Sequence, residues 1–252
     1  MRVFSIYFSP SHTTETITKT LAKGLGPYEK IDLSLRDADS SLSFQKDDVC
    51  VIGVPSYGGR VPAVALERMK DYKGNQAKAV LVTAYGNRAY DDTLKELEDF
   101  LLKRDFSCVA AVAAVAEHSI MTQFATGRPD LKDKEELSRF SQKILEKLQQ
   151  SQTEEPVFVP GNVPYRAYNG VPLKPKAGKK CIKCGLCGRV CPVGAIPVDS
   201  PWKTNTDLCI SCMRCIKTCP SHARSFNPLL AKIAGLSMKK SCSGHKENEL
   251  FL

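Results

Sequence analysis

Eight of the eleven cysteines in this 252-residue chain fall in two copies of one spacing. The first copy is Cys181-x2-Cys184-x2-Cys187-x3-Cys191-Pro192; the second is Cys209-x2-Cys212-x2-Cys215-x3-Cys219-Pro220. Four converging thiolates can hold a [4Fe–4S] cubane. Two-residue gaps let three sulfurs of one tight loop reach the same cluster. The fourth, just before proline, points another way. Zinc knuckles and disulfide frameworks are the other uses of dense cysteine, but zinc ribbons take their ligands in pairs. The second copy starts 28 residues after the first, so the segment is an internal repeat with an expected pseudo-two-fold.

The remaining cysteines are Cys50, Cys108 and Cys242. The first two lie in apolar, strand-like runs, where cysteine behaves as a small hydrophobe. Charge is unevenly divided. Residues 1–160 carry 21 Lys and Arg against 23 Asp and Glu, whereas residues 161–252 carry 15 against 4. The basic residues are scattered among the cysteine loops rather than forming one stripe, which argues against nucleic acid. A basic field around anionic clusters suits an acidic redox partner, with Lys179, Lys180 and Lys183 beside the first loop as candidate docking residues. It also tunes cluster potential. No apolar run is long enough to insert in a membrane, and the N-terminus turns polar too early for a signal peptide. Thiols kept for iron imply a reducing interior, so the expected compartment is cytoplasmic. Nothing in the sequence indicates an oligomeric state.

The elements that must position this chemistry are legible upstream. Residues 2–8, about 30–34, 48–55, 77–85 and 107–116 are short, apolar, β-branched-rich runs, as buried parallel strands are. Between them lie helical stripes: Ile17, Leu21 and Leu25; Leu94, Leu97, Phe100 and Leu101; Leu137, Phe140, Ile144, Leu145 and Leu148; and, more weakly, Ala63 to Met69. Strands alternating with helices predict an α/β fold, a doubly wound five-stranded parallel sheet. A small α+β cysteine domain follows. In such sheets ligands bind outside the strand C-termini, at the switch point.

Three loops occupy that edge. After the first strand comes Ser9-Pro10-Ser11-His12-Thr13-Thr14, four hydroxyls at a helix N-terminus. Free N–H groups and the helix dipole there favour a phosphate, although Ser and Thr also serve as ordinary N-caps. After the third strand comes Pro55-Ser56-Tyr57-Gly58, and after the fourth Tyr85-Gly86-Asn87. Glycine lets backbone approach a ring closely and tyrosine offers a flat face, although Tyr-Gly is also common turn chemistry.

The N-terminal pattern resembles flavodoxin, with strand order 2-1-3-4-5 and FMN at its switch point. With the cysteine runs added, residues 1 to about 225 resemble the flavodoxin–ferredoxin fusion family of anaerobic bacteria. The resemblance implies that Ser9, Ser11, Thr13 and Thr14 wrap the FMN phosphate. His12 departs from the usual glycine there; it resists positive φ, adds bulk, and could lend the phosphate a partial positive charge. Pro55, Ser56, Tyr57, Gly58, Tyr85, Gly86 and Asn87 would surround the isoalloxazine. Likeness to two-cluster ferredoxins implies crossed ligation: Cys181, Cys184, Cys187 and Cys219 on one [4Fe–4S] cluster, and Cys209, Cys212, Cys215 and Cys191 on the other.

The expected division is a flavodoxin-like domain at 1–150, a linker at 151–177 with Pro156, Pro160, Pro164, Pro172 and Pro175, a ferredoxin domain at 178–226, and a helix and tail at 227–252. Val157-Phe158-Val159 and Tyr165 are expected to dock on a domain. Residues 194–198 and 202–205 are expected to form short strands, Trp202 to shield a cluster or fill the small core, 229–238 to form a helix on the ferredoxin part, and the chain beyond Lys239 to be disordered. His118, His222 and His245 carry no ligand pattern. No nucleophile with a supporting base and no G-x-G-x-x-G fingerprint is present. The function expected is electron transfer between an FMN site and two [4Fe–4S] clusters, converting two-electron to one-electron steps. A flavin reductase acting on a small quinone or nitro acceptor, or a flavin-free docking module, are the alternatives.

Overall fold

The computed structural model describes residues 1–150 and 157–252. The first six residues of the expected linker, Pro156 included, lie outside the described residues. The order is β1 (Val3–Tyr7), α1 (Thr13–Leu25), β2 (Tyr28–Asp32), β3 (Val49–Pro55), α2 (Ala63–Arg68), β4 (Lys78–Tyr85), α3 (Thr93–Leu102), β5 (Ser107–Val115) and α4 (Leu131–Gln150). The cysteine segment then supplies β6 (Lys176–Ala177), α5 (Leu186–Arg189), α6 (Arg214–Lys217) and β7 (Arg224–Ser225), followed by α7 (Pro228–Cys242) and β8 (Glu249–Phe251).

The main sheet runs β2-β1-β3-β4-β5-β8. Its first five strands are parallel and in the flavodoxin-like order. The alanine-rich run at 107–116 is a strand, buried along almost its whole length. Two apolar layers cover the sheet. On one face Ile17, Leu21, Leu137 and Ile144 bring α1 and α4 onto the strands; on the other, Leu94, Leu97 and Leu101 bring in α3 beside Phe8, Phe44 and Leu81. Truncating any of these buried side chains to alanine removes about 2–5 kcal/mol. Gly24 sets the α1–α4 approach, because a Cβ there would fall 1.9 Å from Ser141 Oγ. Cys50 and Cys108 are buried in the α3 layer, and burial pushes the Cys108 thiol up to about 12.

The tail is ordered, contrary to expectation. Three residues of β8 add antiparallel to β5, so the sheet has a sixth strand. Asn248 locks them there. Its side chain accepts from the Val115 N–H at 2.9 Å and donates to Asp133 at 2.9 Å and Glu136 at 2.6 Å. Arg128, paired with Asp133, also donates to the Lys246 carbonyl at 2.6 Å. The α7 helix forms as its apolar run suggests, capped by Asn227, but packs mainly on the loop after β5 and on the linker: Met121, Phe124, Leu173 and Val171 meet Ala231, Ala234 and Met238.

From residue 157 the chain runs back over α3. Val157 and Val159 enter the core, whereas Phe158 is exposed. Asp92 accepts from the backbone N–H of Asn162 at 2.8 Å and of Arg166 at 2.7 Å, and the Tyr165 hydroxyl donates to Asp99. The only strands of the cysteine segment are the β6–β7 pair; residues 194–198 and 202–205 are turns and irregular chain around the cysteine loops. Trp202 is half-exposed with the Lys183 ammonium 5.2 Å from its ring, so it fills no core.

Candidate functional site

The internal repeat is written in the backbone. Lys183, Gly185 and Gly194 have φ of 58°, 74° and 65°, and their counterparts 28 residues on, Ser211, Met213 and His222, have 54°, 61° and 48°. A chain that wraps three cysteines around one centre must turn left-handed at these points. Four of the six positions accept that conformation without glycine, at a cost of about 1–2 kcal/mol each.

The fourth cysteine of each repeat lies beside the first three of the other. One cavity is lined by Cys181, Cys184, Cys187 and Cys219 together with Pro201 and Arg224. Cys191 lies instead with the second loop. Burial pushes the Cys212 thiol up to about 12, the Arg214 N–H opposes the rise, and neighbouring Cys215, Cys191 and Cys209 add to it. Burial likewise takes Cys215 up to about 11, with Cys209 and Cys191 again close. Among the described residues no three His, Cys, Asp or Glu side chains close on a single metal ion; the sulfurs ring a cavity instead.

Hydrogen-bond donors surround these sulfurs. The Ala223 N–H points to Cys219 Sγ at 3.3 Å, and the Ser221 hydroxyl lies 3.6 Å from it. Arg224 is buried and donates to the carbonyls of Pro175, Pro201 and Lys203, while Arg214 donates to the Ser34 carbonyl at 3.4 Å. The Nε–H of both arginines is buried without a partner among the described residues. An unpaired buried donor is costly, and a sulfur-rich anion beside it would supply the acceptor. The donor set and these orphaned N–H groups fit two anionic clusters.

At the other end of the chain, parallel register brings the C-terminal ends of β1, β3, β4 and β5 to one edge. A small cavity there is lined by Ser11, Thr13, Pro55, Ser56, Tyr57, Tyr85 and Gly86, with Glu117, His118 and Ser119 from the loop after β5. Ser11 and Thr13 face it, their hydroxyls 3.1 Å apart. The other two hydroxyls do not converge. Ser9 is buried, its Oγ accepting from the Glu15 N–H at 2.9 Å, and Thr14, in the first turn of α1, is buried against Gly53 of β3. His12 takes the left-handed conformation expected of glycine, with φ 66°, and its Nδ1 lies 2.8 Å from Glu15 rather than free above the loop. Burial alone would raise Glu15, but hydrogen bonds with Lys19, His12 and Tyr7 hold it below the usual range.

A second cavity of about 240 Å³ continues from the first, sharing Ser56, Tyr57, His118 and Ser119 with it. Gly58, Tyr168, Leu173, Ile210, Ser211 and Met238 are among its other walls. Gly58, at φ 61°, packs under Tyr168; a Cβ there would sit 2.3 Å from that ring. Asn87 does not join either cavity. Its turn, at φ 63°, carries the side chain to the tail, where it donates to the carbonyls of Cys242 and Gly244. Tyr85 is buried edge-on against Tyr90 and gives the first cavity only part of its surface.

His118 escaped the sequence reading because no motif surrounds it. It lines both cavities, and its Nδ1 accepts from the N–H groups of Ile120 and Met121 at 3.2 Å. That fixes a neutral ring with the proton on Nε2. Burial, with Arg88 nearby, holds its pKa below the usual value.

Residues 180–223 match the 4Fe-4S dicluster domain family. The chain joins a flavodoxin-like domain to a 4Fe–4S dicluster segment. Over 63 residues it is 40% identical to the putative electron transport protein YccM of Escherichia coli, covering 23% of this chain and 17% of that protein. Over 47 residues it is 40% identical to the pyruvate synthase subunit PorD of Methanocaldococcus jannaschii, covering 18% of this chain and 55% of that one. The chain thus spans well under two thirds of either relative. Among solved structures, oxidised flavodoxin 1 from Bacillus cereus aligns with 58% of this chain and 98% of its own, at 17% identity and a TM-score of 0.44. Iron–sulfur cubanes carry electrons singly, so the dicluster segment is an electron-transfer element. None of the described helices is long and apolar enough to cross a membrane.

Proposed function

We propose that the chain is an electron-transfer protein that couples FMN at the sheet edge to two [4Fe–4S] clusters. One observation carries the reading: Ile210 and Ser211, the residues between Cys209 and Cys212, form a wall of the cavity that Ser56, Tyr57 and Gly58 line from the other side. Nothing but the second cysteine loop separates that cavity from the second cluster's ligands. FMN exchanges two electrons together or one at a time, which is the chemistry it would supply here.

The residues fit the group. Ser11 and Thr13 would hold the phosphate at the N-terminus of α1. Aromatic Tyr57 and Tyr168 with Leu173, Ile210 and Met238 suit a flat apolar ring, and Ser56, Ser119 and the His118 Nε2–H suit its polar edge. Tyr168 and, from α7, Ala234 and Met238 line the same cavity.

The clusters differ in exposure. Cys191 and Cys212 are buried, whereas Cys184 is exposed among exposed Ile182 and Trp202. The order flavin, second cluster, first cluster, partner follows. The partner would dock an acidic face on Lys179, Lys180 and Lys183, in a reducing, cytoplasmic compartment.

Titration of the anaerobic, cluster-loaded protein with FMN and riboflavin tests the flavin site. FMN should bind at least tenfold tighter, and Ser11→Ala with Thr13→Ala should erase the difference. Equal affinity for both flavins in the unaltered protein would refute the assignment.

A further inference from the structure

The α7 helix is apolar on two faces, and the molecule covers only one. Ala231, Ala234 and Met238 pack inward. On the opposite side Leu229, Ile233 and Leu236 are 65%, 56% and 65% exposed, and Leu230, 48% exposed, lies between the two faces. Leu229, Ile233 and Leu236 follow i, i+4, i+7 spacing and form one ridge. Helical periodicity puts Lys232 and Lys239 along one flank of the ridge and Lys240 at its C-terminal end, all three exposed. The helix contains no Asp or Glu.

We propose that α7 docks the protein peripherally on an anionic lipid surface, with the Leu229–Ile233–Leu236 ridge in the headgroup boundary and the three lysines over lipid phosphates. A ridge of aliphatic side chains with flanking lysines can enter a lipid interface while the lysine stems lie flat and their ammonium groups stay wet. The charge complements an anionic leaflet, within a segment, residues 161–252, that holds 15 basic against 4 acidic residues. A second copy fits poorly. Four side chains on a helix of about four turns fall short of the roughly 800 Å² per partner of a stable interface, and self-pairing would bring like-charged lysines together. A protein groove is disfavoured as well: the ridge has no Trp, Tyr or Arg, the residues on which protein interfaces concentrate their energy. The proposal is independent of whether flavin binds.

Co-sedimentation of the full, cluster-loaded chain with phosphatidylcholine vesicles, and with vesicles of phosphatidylcholine and phosphatidylglycerol in equal parts, tests it. Partitioning onto the anionic vesicles should exceed that onto the zwitterionic ones and fall with salt. Lys232→Gln, Lys239→Gln and Lys240→Gln together should weaken it about 100-fold, at about fivefold per lysine. Ile233→Ser with Leu236→Ser should abolish it while the iron–sulfur absorbance and far-ultraviolet dichroism stay unchanged, since these side chains already face solvent. Absence of binding to both vesicle types would overturn the proposal, whether the ridge then mediates self-association in sedimentation velocity or docks an acidic protein. Anionic-vesicle binding that both variants leave intact would also overturn it.

Discussion

Asn248→Ala should release the C-terminal strand without unfolding the molecule. Asn248 is 6% exposed and satisfies three groups at once. Its loss strands the Val115 N–H, a buried donor, at a cost of about 1–3 kcal/mol. It also removes a bond to the Asp133 carboxylate, about 1.5–3 kcal/mol. Glu136 is only half-buried and regains water, so its bond adds little. The total, about 2.5–6 kcal/mol, falls on a strand held by three residue pairs. Amide exchange read by mass spectrometry should therefore rise about hundredfold or more across 249–251 and the facing 111–113, with β1 and β3 unchanged. Acid should act on the same latch. Burial alone would raise Asp133, but Arg128, Asn248 and the Asp130 N–H hold it below the usual range. Its contribution is thus complete above the ordinary carboxylate pKa of about 4 and is lost as pH falls through the lower folded value. Protection that is unchanged in Asn248→Ala, or that falls equally in every strand, would refute this reasoning.

Crossed ligation has a distinct signature: Cys191→Ala should disturb the cluster of Cys209, Cys212 and Cys215, and Cys219→Ala that of Cys181, Cys184 and Cys187, in site-resolved paramagnetic spectra. Damage confined to each cysteine's own loop would reverse the assignment. For the docking face, the second-order rate with an acidic redox protein should drop steeply with ionic strength, and Lys179→Glu, Lys180→Glu and Lys183→Glu together should slow it and flatten the dependence, since exposed charges are screened over about 8–10 Å. A rate level from low to high salt would leave these lysines with a solubilising role only.

The parallel sheet was legible because runs such as Asp48 to Val54 are apolar on both faces, a pattern that helices on both sides of a sheet impose. The cysteine geometry was legible because iron chemistry dictates spacing. The C-terminal strand was not. Glu249-Leu250-Phe251 has no alternation to distinguish it, and the open edge of β5 together with one asparagine makes it a strand. The loop after β1 shows a related limit. Four hydroxyls in six residues read as one phosphate cradle, but helix capping claims Ser9 and close packing claims Thr14. Asn87 looked like a ring contact by position, yet its backbone turn aims it at a tail that lies 155 residues downstream. His118 had no sequence signal at all; its importance comes from two backbone N–H groups that orient the ring.

The shared wall at Ile210 and Ser211 is the central feature of this molecule, and flash reduction tests it most directly. FMN bound to the anaerobic, cluster-loaded protein is reduced by a light pulse, and cluster absorbance is followed in time. Bleaching of one cluster within a millisecond, at a rate independent of protein concentration, is the expected result. A bleach whose rate rises in proportion to protein concentration, or no bleach at all with FMN bound, would contradict a flavin seated against the second cluster.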